Sequence, residues 1–340
     1  MRNGAPTAGD GAPAALLDVR DLRVEFRTRD GIAKAVNGVS CRVAPGQTLA
    51  VLGESGSGKS VTAQAVMGIL DSPPGYVTGG EIVFQGRDLL TLRKEERRRV
   101  RGARMAMIFQ DALSALNPVL SVGAQLGEMF QVHEGMSRKA ARGRAVELME
   151  RVGIPAARAR VGDYPHQFSG GMRQRIMIAM ALALGPDLII ADEPTTALDV
   201  TVQAQVMDLL AELQRELTMG LILITHDLGV VADVADTIAV MYAGRIVETA
   251  PVHQLYRAPA HPYTRGLLDS IPRLDRKGQR LYAIKGLPPN LTAIPPGCPF
   301  NPRCPLAQDV CRSELPPLYE VGPGRSSACH FWKETLDGAR

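Results

Sequence analysis

Residues 53–60 read GESGSGKS, and the runs on either side of them leave the chain little freedom. TLAVLG before the loop is strand-like, while KSVTAQAVMGIL after it sets Val61, Ala65, Val66, Ile69 and Leu70 on one helical face. A strand, a loop of the form GxxxxGK[ST] and a helix, in that order, is the context in which such a loop binds phosphate. Gly53, Gly56 and Gly58 let backbone N–H groups, among them those of Ser55 and Ser57, turn inward around phosphate oxygens. Lys59 adds a point charge, and Ser60 offers a hydroxyl to Mg²⁺ at the helix N-terminus.

The rest of the chain supplies a sheet for that strand. Short, predominantly apolar runs at 187–191 and 221–225 flank the helix-like VTVQAQVMDLLAELQREL, a pattern that predicts parallel strands buried on both faces. From Leu16 to Gly53, β-like runs broken by Asp-Gly and Pro-Gly predict antiparallel pairing, and TIAVMYAGRIVETA (237–250) predicts a hairpin that closes the core. Between about 113 and 165 charges and small residues alternate at helical spacing, which predicts an inserted helical subdomain. The expected division is a flexible arm over 1–14, a nucleotide-binding domain over 15–260 and a Pro-rich, Cys-bearing extension over 261–340.

Composition narrows the function classes. A chain of 340 residues, 45% of them hydrophobic, can bury a full-sized core. Its net charge of +4 creates no global field that would favour nucleic acid, and the arginines of RRRVRGAR read as a solvated helix face. No apolar run approaches the roughly 20 residues that span a bilayer, and the first residues lack a signal-peptide core. These features lead us to expect a soluble cytoplasmic protein.

Two further motifs bear on phosphate chemistry. LIIADEP ends a predicted strand with Asp192, a ligand for Mg²⁺, followed by Glu193, placed to deprotonate a water that attacks the γ-phosphate. QFSGGMRQR puts Ser169, Gly170 and Gly171 at the start of a helix, which makes a second anion cradle.

With these motifs in this order the chain resembles the ATP-binding cassette (ABC) ATPase subunits of transporters over most of residues 16–265. The resemblance implies an α/β, ABC-type P-loop domain with a parallel core sheet, an antiparallel β subdomain and a helical subdomain. It assigns Gln110 to the Q-loop, Asp199 to the D-loop and His226 to the switch histidine, and sets Phe26 against adenine. It also implies that two cassettes face head to tail, the signature residues Ser169–Gly171 of one closing over ATP on the phosphate loop of the other. Phe168 and Met172 stand where the commonest signature has Leu and Gln.

QDALSALNPVLSVGAQL, HPYTRGLLDSIPRL and PPGCPFNPRCPLAQDVC narrow the resemblance to ATPase subunits of bacterial oligopeptide and dipeptide importers. That kinship implies a second ATPase subunit that is a paralogue, two membrane permeases, an external peptide-binding protein and a peripheral place on the cytoplasmic face of the membrane. Import of nickel or another small solute, and a soluble ATPase acting on nucleic acid or ribosomes, remain as alternatives.

Four of the five cysteines, Cys298, Cys304, Cys311 and Cys329, lie in the extension, while Cys41 sits in a strand-like run and reads as buried. Reduced thiols favour metal over disulfide, and gaps of five, six and seventeen residues contain no CxxC knuckle of the kind typical of structural zinc. A [4Fe-4S] cluster, which the resemblance also implies for some relatives, is the expected occupant, with Zn²⁺ the alternative.

Overall fold

The computed structural model describes residues 15–196, 198–270 and 284–337, so the arm expected over 1–14 and the end of HPYTRGLLDSIPRL lie outside the described residues. Twelve strands are present in that region: β1 Leu17–Thr28, β2 Gly31–Val43, β3 Thr48–Leu52, β4 Gly75–Phe84, β5 Arg87–Asp88, β6 Met105–Ile108, β7 Leu188–Asp192, β8 Gly220–Thr225, β9 Thr237–Tyr242, β10 Arg245–Pro251, β11 Tyr319–Gly322 and β12 Arg325–Ser327. They form two sheets, ordered β2-β1-β4-β5 and β11-β12-β10-β9-β3-β8-β7-β6.

In the larger sheet β9, β3, β8, β7 and β6 run parallel, with β3 paired to β8 and to β9. The sequences TLAVL, LIIAD and GLILIT are buried at every position, as strands covered on both faces must be. One face packs against the smaller antiparallel sheet through Leu17, Leu22, Val24, Val36, Val51, Val66, Ile190 and Ile224. The other carries Leu126, Phe130, Leu148, Ile176, Leu210 and Leu223, which join the helical insertion to the sheet. Each fully buried side chain of this size contributes about 1.5–3 kcal/mol.

The helix after the phosphate loop, Lys59–Met67, is shorter than its apolar stripe predicts. Gly68 turns left-handed at φ 65, its N–H donates to Ala65 O, and Ile69 N–H donates to Gln64 O, both at 3.0 Å. This closing pattern takes Ile69 and Leu70 out of the helix. Residues 112–167 are helical without an intervening strand, the longest pieces being Val122–Glu134 and Arg138–Arg151, N-capped by Ser121 and Ser137.

The extension is not wholly irregular. Its hairpin β11–β12 adds to the core sheet through β12, with Glu248 opposite Ser327 and Thr249 opposite Ser326. Tyr242 of β9, Tyr263 and Phe300 pack ring to ring, with centroids 4.7, 5.2 and 5.4 Å apart. Burying three aromatic rings fastens the extension to the core.

Candidate nucleotide site

The phosphate loop connects β3 to the helix Lys59–Met67, at the carboxyl end of the central strand, where open α/β sheets place ligands. Two of its glycines have no substitute. A Cβ on Gly53 would meet Met241 O at 2.3 Å, and one on Gly58 would meet Ala35 O at 2.3 Å, with φ at +153 and +105. The loop backbone thus lies directly against β2 and the end of β9. Lys59 Nζ donates to the carbonyls of Gly53 at 2.8 Å and Glu54 at 3.0 Å. Burial lowers the Lys59 ammonium from its ordinary value, while Glu193, Asp192 and Glu54 oppose that shift.

Ser60 Oγ donates to Asp192 Oδ1 at 3.0 Å, so the two residues expected to hold Mg²⁺ are brought together across 132 positions of sequence. Asp192 is raised from its ordinary value by burial, with the Ser60 hydrogen bond acting in the other direction. A divalent cation there would supply the positive charge that keeps both oxygens as acceptors, and a hydroxyl with one carboxylate is a suitable hard-oxygen set.

Glu193 is the meeting point of the remaining polar groups. Gln110 Nε2 donates to its Oε2 at 3.0 Å, Thr196 Oγ1 donates to the same oxygen at 2.9 Å, and His226 Nδ1 stands 3.4 Å from Oε1. Glu193 itself has φ 46, an uncommon conformation for a side chain of its size, and its N–H donates to Ile224 O at 2.8 Å. Strain held by a neighbouring strand is typical of a residue whose carboxylate must point one way.

A cleft gathers Phe26, Ala33 and Ala35 of the antiparallel sheet, Glu54, Ser55, Gly56, Gly58, Lys59, Ser60 and Val61 of the loop and helix, and Gln110, Glu193 and His226. Ser57 Oγ is buried with no hydrogen-bond partner among protein atoms. Ser169, Gly170, Gly171 and Asp199 do not line this cleft. Ser169 caps the helix Gly170–Leu182, Asp199 caps Val200–Leu217, and Ser169 and Gly170 are exposed at the surface.

Sequence reasoning missed four contributors. Thr196, two positions beyond DEP, bears on Glu193. The others come from beyond β10: Tyr263 Oη accepts from Glu54 N–H at 2.8 Å, Leu291 lines the cleft, and Arg303 grips the Glu54 carboxylate with Nη1 at 2.6 Å and Nη2 at 2.9 Å. Thr196 stands only three positions from Glu193 but belongs to no motif read above, and the other three act on residues far away along the chain.

The four extension cysteines lie within electrostatic reach of one another, and burial raises the thiols of Cys304 to about 11 and Cys329 to about 12. Backbone N–H groups of Phe300, Leu306 and Phe331 point at the sulfurs of Cys298, Cys304 and Cys329. Among the described residues no group of three or more His, Cys, Asp or Glu side chains is arranged to hold a metal ion, so the expected cluster receives no direct support from the geometry. His330 uses both ring nitrogens on Tyr319 Oη and Glu314 O. Cys41 is a partly buried residue of β2, and its apolar surroundings push its thiol up to about 12.

Comparison with known proteins places the chain in a family. The family description "ABC transporter" matches residues 36–196, and "Oligopeptide/dipeptide transporter, C-terminal region" matches residues 247–311. The oligopeptide transport ATP-binding protein OppD of Bacillus subtilis is 52% identical over 322 residues, covering 94% of this chain and 88% of the relative. OppD of Escherichia coli is 52% identical over 315 residues, covering 93% of each. The dipeptide transport ATP-binding protein DppD of Bacillus subtilis is 54% identical over 301 residues, covering 88% of this chain and 90% of the relative. Among solved structures, a dimeric ATP-binding cassette in a post-hydrolysis state bound to ADP and Pi matches with a TM-score of 0.62 at 25% identity, covering 69% of this chain and 98% of that one. A phosphate loop, its Ser60–Asp192 pair and a Glu193 held by Gln110 and His226, in a chain with these relatives, lead to one conclusion: the protein belongs to the ABC-transporter ATP-binding subunits that carry the oligopeptide/dipeptide transporter C-terminal region.

Proposed function

We propose that the chain hydrolyses ATP to power import of di- and oligopeptides through a membrane permease. The observation that carries the reading is the convergence of Gln110, Thr196 and His226 on Glu193 at the mouth of the phosphate-loop cleft.

In the proposed reaction Glu193 accepts a proton from a water whose oxygen attacks the γ-phosphorus as the bond to the β-phosphate oxygen breaks. Gln110 and Thr196 orient that carboxylate, and His226 faces the γ-phosphate. Ser60 and Asp192 would hold Mg²⁺, which supplies charge neutralisation on the phosphates. Lys59 and the inward N–H groups of the loop carry the rest of that charge. Phe26 stacks on the adenine.

Ser169, Gly170, Gly171 and Asp199 serve the nucleotide of a second ATPase subunit, in our reading a paralogue. What supports this is that they lie outside this chain's own cleft and that Ser169 and Gly170 are open to a partner. Permeases and an external peptide-binding protein complete the assembly, with this subunit peripheral on the cytoplasmic face of the membrane. No helix among the described residues is long and apolar enough to cross a membrane.

We further propose that Cys298, Cys304, Cys311 and Cys329 hold a [4Fe-4S] cluster that staples the extension. What supports this is that the four sulfurs are within electrostatic reach of one another and that backbone N–H groups are aimed at those of Cys298, Cys304 and Cys329, interactions that stabilise thiolates beside a cluster.

Reconstitution with its permeases in vesicles tests the transport reading. ATP hydrolysis and uptake are expected to rise when a peptide-loaded binding protein is added. Uptake of nickel or another small solute with no response to peptides would overturn it.

A further inference from the structure

The extension reaches the nucleotide cleft at two points that hydrolysis, as described above, does not use. Leu291 lines the cleft together with Phe26, Ala33 and Ala35, and its carbonyl accepts from Lys34 N–H of β2 at 3.1 Å. Leu291 is thus tied to β2 and shares the cleft lining with Phe26. The Arg303 side chain is 4% exposed and makes a two-pronged ion pair with Glu54, the second residue of the phosphate loop. Arg303 Nη1 also donates to Tyr242 Oη at 3.3 Å, and Nε donates to Lys285 O at 3.1 Å.

The segment that carries Arg303 is fixed before any nucleotide arrives. Cys298 N–H donates to Cys311 O at 2.8 Å, Asn301 Nδ2 donates to Cys298 O at 2.8 Å, and a Cβ on Gly297 would meet Cys311 O at 2.4 Å. A planar guanidinium so placed is already oriented, so it pins a carboxylate at little further entropic cost. The Glu54 main chain is held from both ends as well, its N–H by Tyr263 Oη and its carbonyl by Lys59 Nζ.

We propose that the extension completes the nucleotide site, with Leu291 as a base-facing wall residue and Arg303 as a positioning residue that fixes the phosphate loop and neutralises Glu54. The reason lies in charge. A glutamate in a loop meant for polyphosphate repels its own ligand unless a cation is paired with it, and Lys59 Nζ is taken up by the Gly53 and Glu54 carbonyls while the Glu54 carboxylate pairs with Arg303. Arg303 provides that cation from outside the cassette motifs. This inference rests on the reading of the cleft as a nucleotide site.

The test is equilibrium binding of ATP, ADP, adenosine and inorganic triphosphate to the full chain, with melting temperature in the absence of nucleotide as the check on folding. Arg303→Ala is expected to weaken ATP about tenfold, the order for one uncompensated, part-buried carboxylate beside a triphosphate, with a smaller loss for ADP and none for adenosine. Arg303→Ala combined with Glu54→Gln is expected to return ATP binding to within about threefold of the parent, since the repelling charge is gone too. Leu291→Ala is expected to weaken ATP and adenosine but not inorganic triphosphate. Equal losses for adenosine and ATP in Arg303→Ala, or a double variant as weak as the single one, would overturn the proposal. Parent protein that binds no nucleotide would overturn the reading of the cleft itself, whereas a parent that binds and an Arg303→Ala that binds equally sink this inference alone.

Discussion

Gln110 Nε2 donates to Glu193 Oε2 at 3.0 Å, joining residues 83 positions apart that follow the neighbouring parallel strands β6 and β7. Both leave the sheet at the carboxyl ends of their strands, so the β6–β7 pairing brings the Gln110 amide beside the carboxylate that the Glu193 backbone and Thr196 orient. Glu193→Gln keeps the size and most contacts of the side chain but cannot take a proton. ATP turnover is expected to fall by about a hundredfold or more, the usual range for a lost general base, while ATP binding stays within about threefold. Steady-state hydrolysis with the partner subunit, beside nucleotide titration, checks both; turnover near the parent rate would remove Glu193 from its role.

Gly58→Ala is the sharpest structural test of the loop. The added methyl would meet Ala35 O at 2.3 Å in a left-handed backbone, so strain of about 1–3 kcal/mol is joined by a steric clash with β2. We expect loss of nucleotide binding and a lowered melting temperature, whereas Gly56→Ala, whose Cβ meets nothing within 4 Å, carries only the backbone strain of φ +77. Calorimetry on the two variants separates clash from strain.

Glu248 and His261 make the joint between β10 and the extension sensitive to pH in opposite directions. Burial raises the Glu248 carboxyl from 4.5 to about 7, although the N–H groups of Ala260 and His261 donate to it at 2.7 and 2.9 Å. Between those values the folded chain keeps a proton the unfolded chain has released, so stability falls as pH rises. Burial lowers His261 from 6.5 to about 3, so in that window the unfolded chain binds the extra proton and stability rises with pH. Glu248→Gln removes the falling contribution: its urea midpoint should climb more steeply than the parent's from about pH 4.5 to 6.5 and then stay level. Parallel curves for the two proteins would count against the buried carboxyl.

Ser169→Arg probes the exposed serine of QFSGGMRQR. The larger cation is expected to leave nucleotide affinity of the isolated chain within about twofold, since Ser169 lies outside the cleft, yet to abolish hydrolysis in the paired assembly. Gel filtration with and without ATP shows whether pairing is what failed; a variant that hydrolyses normally with its partner would refute the shared-site reading.

Protein purified without oxygen is expected to show visible charge-transfer absorption and to contain iron and sulfide. Cys304→Ser should reduce both, together with the melting temperature of the extension. A colourless parent with stoichiometric zinc would replace the iron assignment.

Sequence by itself determined the local chemistry. GESGSGKS, LIIADEP and the predominantly apolar runs specify a parallel sheet with a phosphate loop and two carboxylates at its edge, because turn glycines, strand burial and helix capping are set by near neighbours. Gly68 ended a helix that its apolar stripe alone extends, and a closer reading of Gly as a C-cap would have found it. Only the tertiary structure decided that Glu193 gathers Gln110, Thr196 and His226, that β12 extends the core sheet, and that Arg303 reaches Glu54 across 249 positions. Apart from Thr196, three positions from Glu193, those partners are matched by burial and charge between distant segments, and such matching leaves no periodicity or spacing in the chain that carries it.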